Sequence, residues 1–292
     1  MFESFLSLFQ NKPPIDLKLL EISWLLSESV NELNSKKFLL SKKSSFQLEF
    51  NEIKISKENE KSKLMICIND KEKKIFISFK GNLTVFELLK DINYYNIPSE
   101  NIGSIHAGLL ELANEYPLRY FQSLLENDYD LIFTGFSLGA SLACLCCCKL
   151  LFLKTLKKET QKRIFFIGFG TPLFVDEQFC KLMKEKISES QFFFFQNEGD
   201  IIPYLISYLN YYQQENEEIN EKLLKLNYSS YYHSQKEDEI EYKNFKEFNE
   251  ILEYLQVFLV KNWSNCLLDS SFPNYGIFGN YYFISETEVL MK

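Results

Sequence analysis

Residues 131–141 read LIFTGFSLGAS, in which an apolar run stops at Gly-Phe-Ser-Leu-Gly and small residues follow. The apolar run is typical of a buried β-strand, and the segment after it is typical of a closely packed helix. A serine at such a junction, with glycines two positions before and after it, has the pattern of a nucleophile elbow. Ser137 is therefore a candidate nucleophile, although the five-residue pattern also occurs by chance in unrelated turns.

Strand and helix patterns alternate on both sides of this stretch. Strands are predicted at LMICIND (64–70), KKIFISF (73–79), RIFFIGFG (163–170) and QFFFFQ (191–196). Helices are predicted at TVFELLKDINYY (84–95), HAGLLELANEYPLRYFQSLLEN (106–127), SLGASLACLCCCKLLFLKTL (137–156) and DEQFCKLMKEKI (176–187). Strands separated by helices predict an α/β fold with a mostly parallel central sheet and helices on both faces.

The two ends of the chain carry weaker patterns. Period-two alternation in SFQLEFNEIKIS (45–56) predicts a further strand, and IFGNYYFISE (277–286) predicts the last one. Between Pro203 and that last strand, the sequence favours charged helices. We expect a single domain over residues 1–292, with an N-terminal helical segment (1–44), a core (45–205) and a helical C-terminal part with a last strand (206–292).

Composition limits the kinds of molecule that present this serine. The chain has 292 residues, is 46% hydrophobic and carries a net charge of −8, which argues against a nucleic-acid surface. No run approaches the roughly 18 consecutive apolar residues that a membrane-spanning helix needs. The opening MFESFLSLFQNKPP lacks the basic region of a secretory signal. We expect a cytoplasmic protein.

Four of the seven cysteines crowd into residues 144–148, where they cannot all pair with distant partners. This clustering predicts reduced thiols. Neighbouring residues on a helix diverge, and no histidine lies near them in the sequence, so the cluster is a poor metal site. We expect small buried hydrophobic side chains here, and neither a metal nor a cofactor.

The Ser137 junction also predicts a place for negative charge. The free N–H groups of a helix N-terminus point towards a serine that precedes the helix. The backbone N–H of Leu138 is thus a candidate oxyanion donor, although one donor is rarely enough.

Five segments together resemble a known family. They are IFISFKGN (75–82), IHAGLL (105–110), GFSLG (135–139), GFGTPLFVD (168–176) and NEGDIIPYL (197–205). In this order they resemble segments of the class 3 lipases, which include the fungal triacylglycerol lipases and the plant lipase-like regulators of disease resistance. The likeness covers about residues 60–205, and it implies the α/β-hydrolase fold.

The resemblance also implies roles for individual residues. Asn82 matches the position of the second oxyanion donor, beside the N–H of Leu138, and Asp200 matches the acid of the triad. LTVFELL (83–89) is similar to the lid of the family, which covers the site in water and opens at a lipid surface. His106 belongs to the family's His-x-Gly element and is expected to brace the oxyanion loop.

The general base of this site has two interpretations. The chain contains two histidines, His106 and His233. In α/β-hydrolases the order is serine, acid, histidine, which excludes His106 and leaves His233. The family places its base after the last strand, however, and no histidine follows YYFISETEVL here. The other interpretation of His233 is a surface histidine in a polar loop.

Three functions are open at this point. The favoured one is a serine esterase of lipid metabolism that hydrolyses lipid or small acyl esters with a Ser137–Asp200–His233 triad and makes transient contact with lipid surfaces. The second is a lipase-like protein that has lost turnover and acts as a binding or signalling partner of another protein. The third transfers acyl groups or cleaves thioesters by the same acyl-enzyme chemistry.

Overall fold

The fold is built on an eight-stranded mixed sheet. The computed structural model describes residues 15–56, 62–81, 96–99, 103–188, 191–197, 280–284 and 289–291. The strands are β1 (Glu52–Ser56), β2 (Leu64–Asn69), β3 (Lys74–Phe79), β4 (Asn96–Ser99), β5 (Gly103–His106), β6 (Asp130–Phe136), β7 (Ile164–Phe169), β8 (Phe192–Asn197), β9 (Asn280–Ile284) and β10 (Val289–Met291). The large sheet has the order β1-β2-β3-β6-β7-β8-β9-β10, while β4 and β5 form a separate antiparallel pair.

The five middle strands of the large sheet run parallel. β3, β6, β7, β8 and β9 pair in parallel, and antiparallel strands flank them on both sides. Phe79 pairs with Gly135, and Phe136 pairs with Phe169, so the carboxyl ends of β3, β6 and β7 lie side by side. In sheets of this kind, binding and catalytic residues gather outside the carboxyl ends of the strands.

Helices cover both faces of the sheet. They are α1 (Leu17–Ser29), α2 (Ser35–Ser41), α3 (Ala107–Asn114), α4 (Leu118–Leu125), α5 (Leu138–Leu151), α6 (Lys158–Gln161) and α7 (Glu177–Lys186). One face packs α3, α4, α5 and α7 against side chains such as Ile77 and Phe133. The other face packs α1 against side chains such as Phe76 and Ile132. The continuous apolar runs of the central strands follow from this burial on two sides.

Helix α1 is joined to the sheet by buried hydroxyl groups as well as by apolar contacts. Ser27 Oγ and Thr134 Oγ1 share a hydrogen bond of 2.9 Å. Ser78 Oγ donates to the Leu26 carbonyl at 2.9 Å. Buried hydroxyls that are paired avoid the cost of desolvation. These bonds therefore fix the position of α1 across β3 and β6.

The cysteine-rich helix α5 is an interior helix. Cys144, Cys146, Cys147 and Cys148 are all buried, and the six described cysteines are free thiols. Burial raises the pKa of Cys146 to about 12, so its unreactive thiol form prevails at neutral pH. Among the described residues, no helix combines the length and apolar character that crossing a bilayer requires.

The expected α/β class, with a mostly parallel sheet and helices on both faces, is confirmed. Two details of the sequence interpretation were wrong. The single helix predicted over 106–127 is two helices, because Pro117 has no N–H to donate and ends the first one. The strand predicted over 45–56 begins only at Glu52, after a turn that includes Gln47 at φ 49°.

Several predicted segments lie outside the described residues. They are the helical segment 84–95 and the charged helices between Pro203 and the last strand. The division into segments 1–44, 45–205 and 206–292 stays a prediction.

Candidate active site

Ser137 lies between the end of β6 and the start of α5. Its backbone has φ 52° and ψ −126°, a conformation that side-chain-bearing residues rarely adopt and that glycine tolerates. The serine is half-buried, between exposed Phe136 and buried Leu138. A strained non-glycine residue at a strand-to-helix junction is the backbone geometry of a nucleophile elbow. The strain is kept because the surrounding strands and helix hold both ends of the turn.

Glycines allow three backbone segments to pack against each other at this turn. A Cβ on Gly139 would collide with the Phe79 carbonyl and would lie 2.9 Å from the Gly81 nitrogen. A Cβ on Gly135 would collide with the Gly139 backbone, and a Cβ on Gly81 would collide with the Phe136 carbonyl. The end of β3, the elbow and the first turn of α5 are therefore closer together than side chains would permit.

The first turn of α5 presents backbone N–H groups beside Ser137. The N–H of Ser137 itself donates to the Phe169 carbonyl at 2.9 Å, and the Ser137 carbonyl accepts from Ala140 at 2.9 Å. The N–H of Leu138 is the first of the helix, where no carbonyl of a preceding turn can accept it. An N–H in this place, supported by the helix dipole, can stabilise negative charge that forms next to the serine.

Comparison with protein families identifies this arrangement. The sequence profile of the family described as lipase (class 3) matches residues 76–210. Over this segment the chain is similar to the class 3 lipases. The matched segment contains most of β3, the elbow and β8, so the family match and the geometry concern the same part of the molecule.

Similarity to solved structures confirms the α/β-hydrolase fold. The triacylglyceride lipase of Rhizomucor miehei has 20% identity and a TM-score of 0.50, with 65% of this chain and 75% of that chain covered. Lipase II from Rhizopus niveus has 17% identity and a TM-score of 0.50, with 65% and 76% covered. The Rhizomucor miehei lipase solved with its propeptide has 20% identity and a TM-score of 0.49, with 65% of this chain covered. This chain spans 64% of the length of that protein, which is less than two thirds. No curated protein matches the sequence.

Five site residues were predicted from the sequence, and three of them lie outside the described residues. These are Asn82, Asp200 and His233. Asn82 directly follows Gly81, whose backbone packs against the elbow, and Asp200 comes three positions after β8 ends at Asn197. Their roles stay predictions. Ser137 and Leu138 are brought together at the elbow.

His106 occupies an unusual environment for a histidine. It is fully buried, and neither ring nitrogen has a hydrogen-bond partner among the described residues. Its backbone N–H donates to the Phe174 carbonyl at 2.9 Å. Burial lowers the pKa of His106 to about 3, so the ring is uncharged at neutral pH and is a poor proton acceptor. This agrees with the exclusion of His106 as general base by chain order.

Sequence reasoning missed one residue at this site, Asn31. Its side-chain oxygen accepts a hydrogen bond from the Gly81 N–H at 2.9 Å. The two residues are separated by 50 positions, and Asn31 lies before the matched class 3 lipase segment. No local pattern in the sequence indicates such a contact.

One open depression in the described surface lies away from the elbow. It is lined by Asp70, Lys73 and Tyr129, near the amino ends of β3 and β6. The strand register places these residues at the opposite end of the sheet from Ser137. Among the described residues, no group of three or more histidine, cysteine or acidic side chains is arranged to hold a metal ion.

Proposed function

We propose that this protein is a serine hydrolase of carboxylic esters, with lipid or small acyl esters as substrates. The observation that carries the proposal is the strained Ser137 backbone at the start of α5, next to the N–H of Leu138. A serine held in this way has its hydroxyl and an oxyanion donor on the same turn, which suits acyl transfer. The match of residues 76–210 to the class 3 lipase family supports the same chemistry.

The proposed mechanism follows the serine triad. His233 takes the proton of the Ser137 hydroxyl as its oxygen attacks the ester carbonyl, and Asp200 orients the imidazole and stabilises its charged form. The N–H of Leu138 and a donor from Asn82 bind the oxyanion. The alcohol leaves with the proton from His233, and water then releases the acid by the same steps in reverse.

Phe136 supports an apolar substrate. Its side chain remains 45% exposed although it directly precedes Ser137. A large aromatic side chain at solvent, beside a candidate nucleophile, is suited to contact an acyl chain or a lipid surface.

The proposal is tested by hydrolysis of a short-chain nitrophenyl ester. Ser137→Ala and His233→Ala should each lower kcat by about 10⁴-fold or more, and the double variant should be hardly worse, because triad members act as a unit. Ser123→Ala is the matched control, since the exposed Ser123 hydroxyl donates to the Tyr120 carbonyl of its own helix. Equal rates for wild type and Ser137→Ala would contradict the proposal.

We also propose that the protein works in the reducing cytoplasm. The six described cysteines carry no disulfide, and the pKa of the Cys146 and Cys180 thiols is raised to about 12 by burial. Buried, protonated thiols are stable in a reducing compartment. Titration of the denatured protein without reductant should find all seven cysteines as free thiols, and a stable intramolecular disulfide would contradict this.

A further inference from the structure

The turn after α1 reaches the backbone that leads into the candidate oxyanion loop. We propose that Asn31 is a positioning residue for the elbow: it fixes the Gly81 peptide, which packs against the Phe136 carbonyl and the Gly139 nitrogen on either side of Ser137 and Leu138. This inference rests on the proposed esterase function. It concerns a residue outside the matched family segment, which spans residues 76–210.

The Asn31 side-chain amide is held at both of its ends. Its Oδ1 accepts from the Gly81 N–H at 2.9 Å, and its Nδ2 donates to the Ser27 carbonyl at 2.7 Å. A backbone N–H can only donate and a carbonyl can only accept, so the orientation of the amide follows from its two partners. Asn31 therefore links the end of α1 to the end of β3 in one defined geometry.

The support behind Asn31 is attached to the strands that carry the site. Ser27 shares a hydrogen bond of 2.9 Å with Thr134 in β6, the strand that ends at the elbow. Ser78 in β3 donates to the Leu26 carbonyl at 2.9 Å. The last turn of α1 is thus fixed to both strands, and Asn31 extends this attachment to Gly81.

A second bond fixes the turn that contains Asn31. The buried Lys63 donates from Nζ to the Glu32 carbonyl at 2.7 Å. The Lys63 carbonyl accepts from the Lys80 N–H at 3.0 Å, directly before Gly81. The turn after α1 and the end of β3 are therefore connected on both sides of the Asn31–Gly81 bond.

Gly81 needs such a bond because of its own freedom. A side chain does not fit at this position, because a Cβ would collide with the Phe136 carbonyl. Glycine, however, has the widest choice of backbone conformations. Without an outside partner, the Gly81 peptide can rotate against the Phe136 carbonyl and the first turn of α5, which carries the N–H of Leu138. A misplaced oxyanion donor weakens binding of the transition state more than binding of the substrate.

The inference predicts a selective loss of kcat. Asn31→Ala should lower kcat for the short-chain ester by about 10- to 100-fold, with KM changed by less than about two-fold, since the donor acts mainly in the transition state. A general loss of stability would lower the amount of active enzyme and would not accelerate amide exchange at one position. Asn31→Asp keeps an acceptor for the Gly81 N–H and should have an intermediate kcat.

The matched control is Asn51→Ala. Asn51 Oδ1 likewise accepts a backbone N–H, that of Asp70, at 2.8 Å, but at the opposite end of the sheet. This variant should keep the wild-type kcat. The comparison distinguishes the effect of losing any asparagine-to-backbone hydrogen bond from the effect of losing the Asn31–Gly81 bond.

The experiment combines steady-state kinetics with amide hydrogen exchange at Gly81 in the full chain. The expected result is a lowered kcat, an unchanged KM and exchange at Gly81 that is at least about ten-fold faster in Asn31→Ala than in wild type. Unchanged exchange at Gly81, or a kcat equal to that of Asn51→Ala, overturns the inference. If Asn31→Ala does not fold, the same comparison is made with Asn31→Asp, whose kcat must then lie below that of wild type. A wild type without hydrolysis overturns the proposed function instead, and the Gly81 exchange still decides whether Asn31 fixes this peptide.

Discussion

The two ends of strand β6 are built in different ways. At its carboxyl end, Ser137 has a strained backbone and glycines bring three backbone segments into contact. At its amino end, Tyr129 donates to Asp70, and Lys73 lies 4.7 Å from the centre of the Tyr129 ring. These are ordinary contacts of exposed or half-buried side chains, although an open depression lies at this end. Backbone strain and close glycine packing therefore locate the candidate site.

The largest expected effect comes from the glycine packing at the carboxyl end. Gly139→Ala places a Cβ against the Phe79 carbonyl and the Gly81 nitrogen, so the backbone has to move. The free energy of unfolding should fall by about 3 kcal/mol, the upper range for overpacking. Ester hydrolysis should fall by at least about 100-fold, because the oxyanion donors shift with the turn. Denaturant unfolding and steady-state kinetics measure the two effects. Wild-type stability and activity in Gly139→Ala would contradict the claim that close glycine packing supports the site.

The buried His106 should make the free energy of unfolding depend on pH. The pKa of His106 is about 3 in the folded protein and about 6.5 in the unfolded one, so the unfolded state binds more protons between these values. Above pH 6.5 the ring is uncharged in both states, and the full free energy of unfolding is present. Below pH 6.5 the free energy of unfolding falls by up to about 1.4 kcal/mol per pH unit. Denaturant unfolding at several pH values measures it. In His106→Leu the part of this pH dependence that comes from His106 disappears. A difference in free energy of unfolding between variant and wild type that stays constant with pH would contradict the buried, uncharged ring.

A smaller effect separates the strained turn from an ordinary one. Ser137→Gly should raise the free energy of unfolding by about 1 kcal/mol, because glycine adopts φ 52° and ψ −126° without steric cost. Asp128, just before β6, has φ 60° and is the matched control. Asp128→Gly should change stability little, since aspartate tolerates positive φ. Thermal unfolding compares the two variants, and an equal gain in both would mean that Ser137 carries no special strain.

The smallest effect is expected at the amino end. Tyr129→Phe removes the hydroxyl that binds Asp70 and leaves the ring in place. Because this end is remote from Ser137, ester hydrolysis should change by less than about two-fold. The assay is the same short-chain ester. A loss of ten-fold or more would place functional residues in the depression and reverse the comparison between the two ends.

The sequence predicted much of the carboxyl end because its signals are local. The run DLIFTGF forms β6 over Asp130–Phe136, and α5 begins at Leu138, where small residues follow the serine. Strand and helix periods change at this point, and the glycines on both sides indicate the tight turn. The nucleophile elbow therefore follows from about ten neighbouring residues.

Other features depend on contacts between distant parts of the chain. The Asn31–Gly81 bond joins residues 50 positions apart. The burial of His106 depends on helices and strands that no local pattern brings together. The break at Pro117 had a local signal, yet the apolar spacing on both sides of it favoured one continuous helix. Sequence patterns thus predicted the elements and the position of the serine, while its support became known from the structure.

The most direct test of the central claim is labelling of the folded protein with a fluorophosphonate. The reagent forms a covalent bond with a serine whose hydroxyl is activated and releases fluoride. Mass spectrometry of the intact protein should find one added group, and peptide mapping should place it on Ser137. Ser137→Ala and the denatured wild type should remain unlabelled. A folded wild-type protein that gains no label, or that gains it at another residue, would contradict Ser137 as the nucleophile.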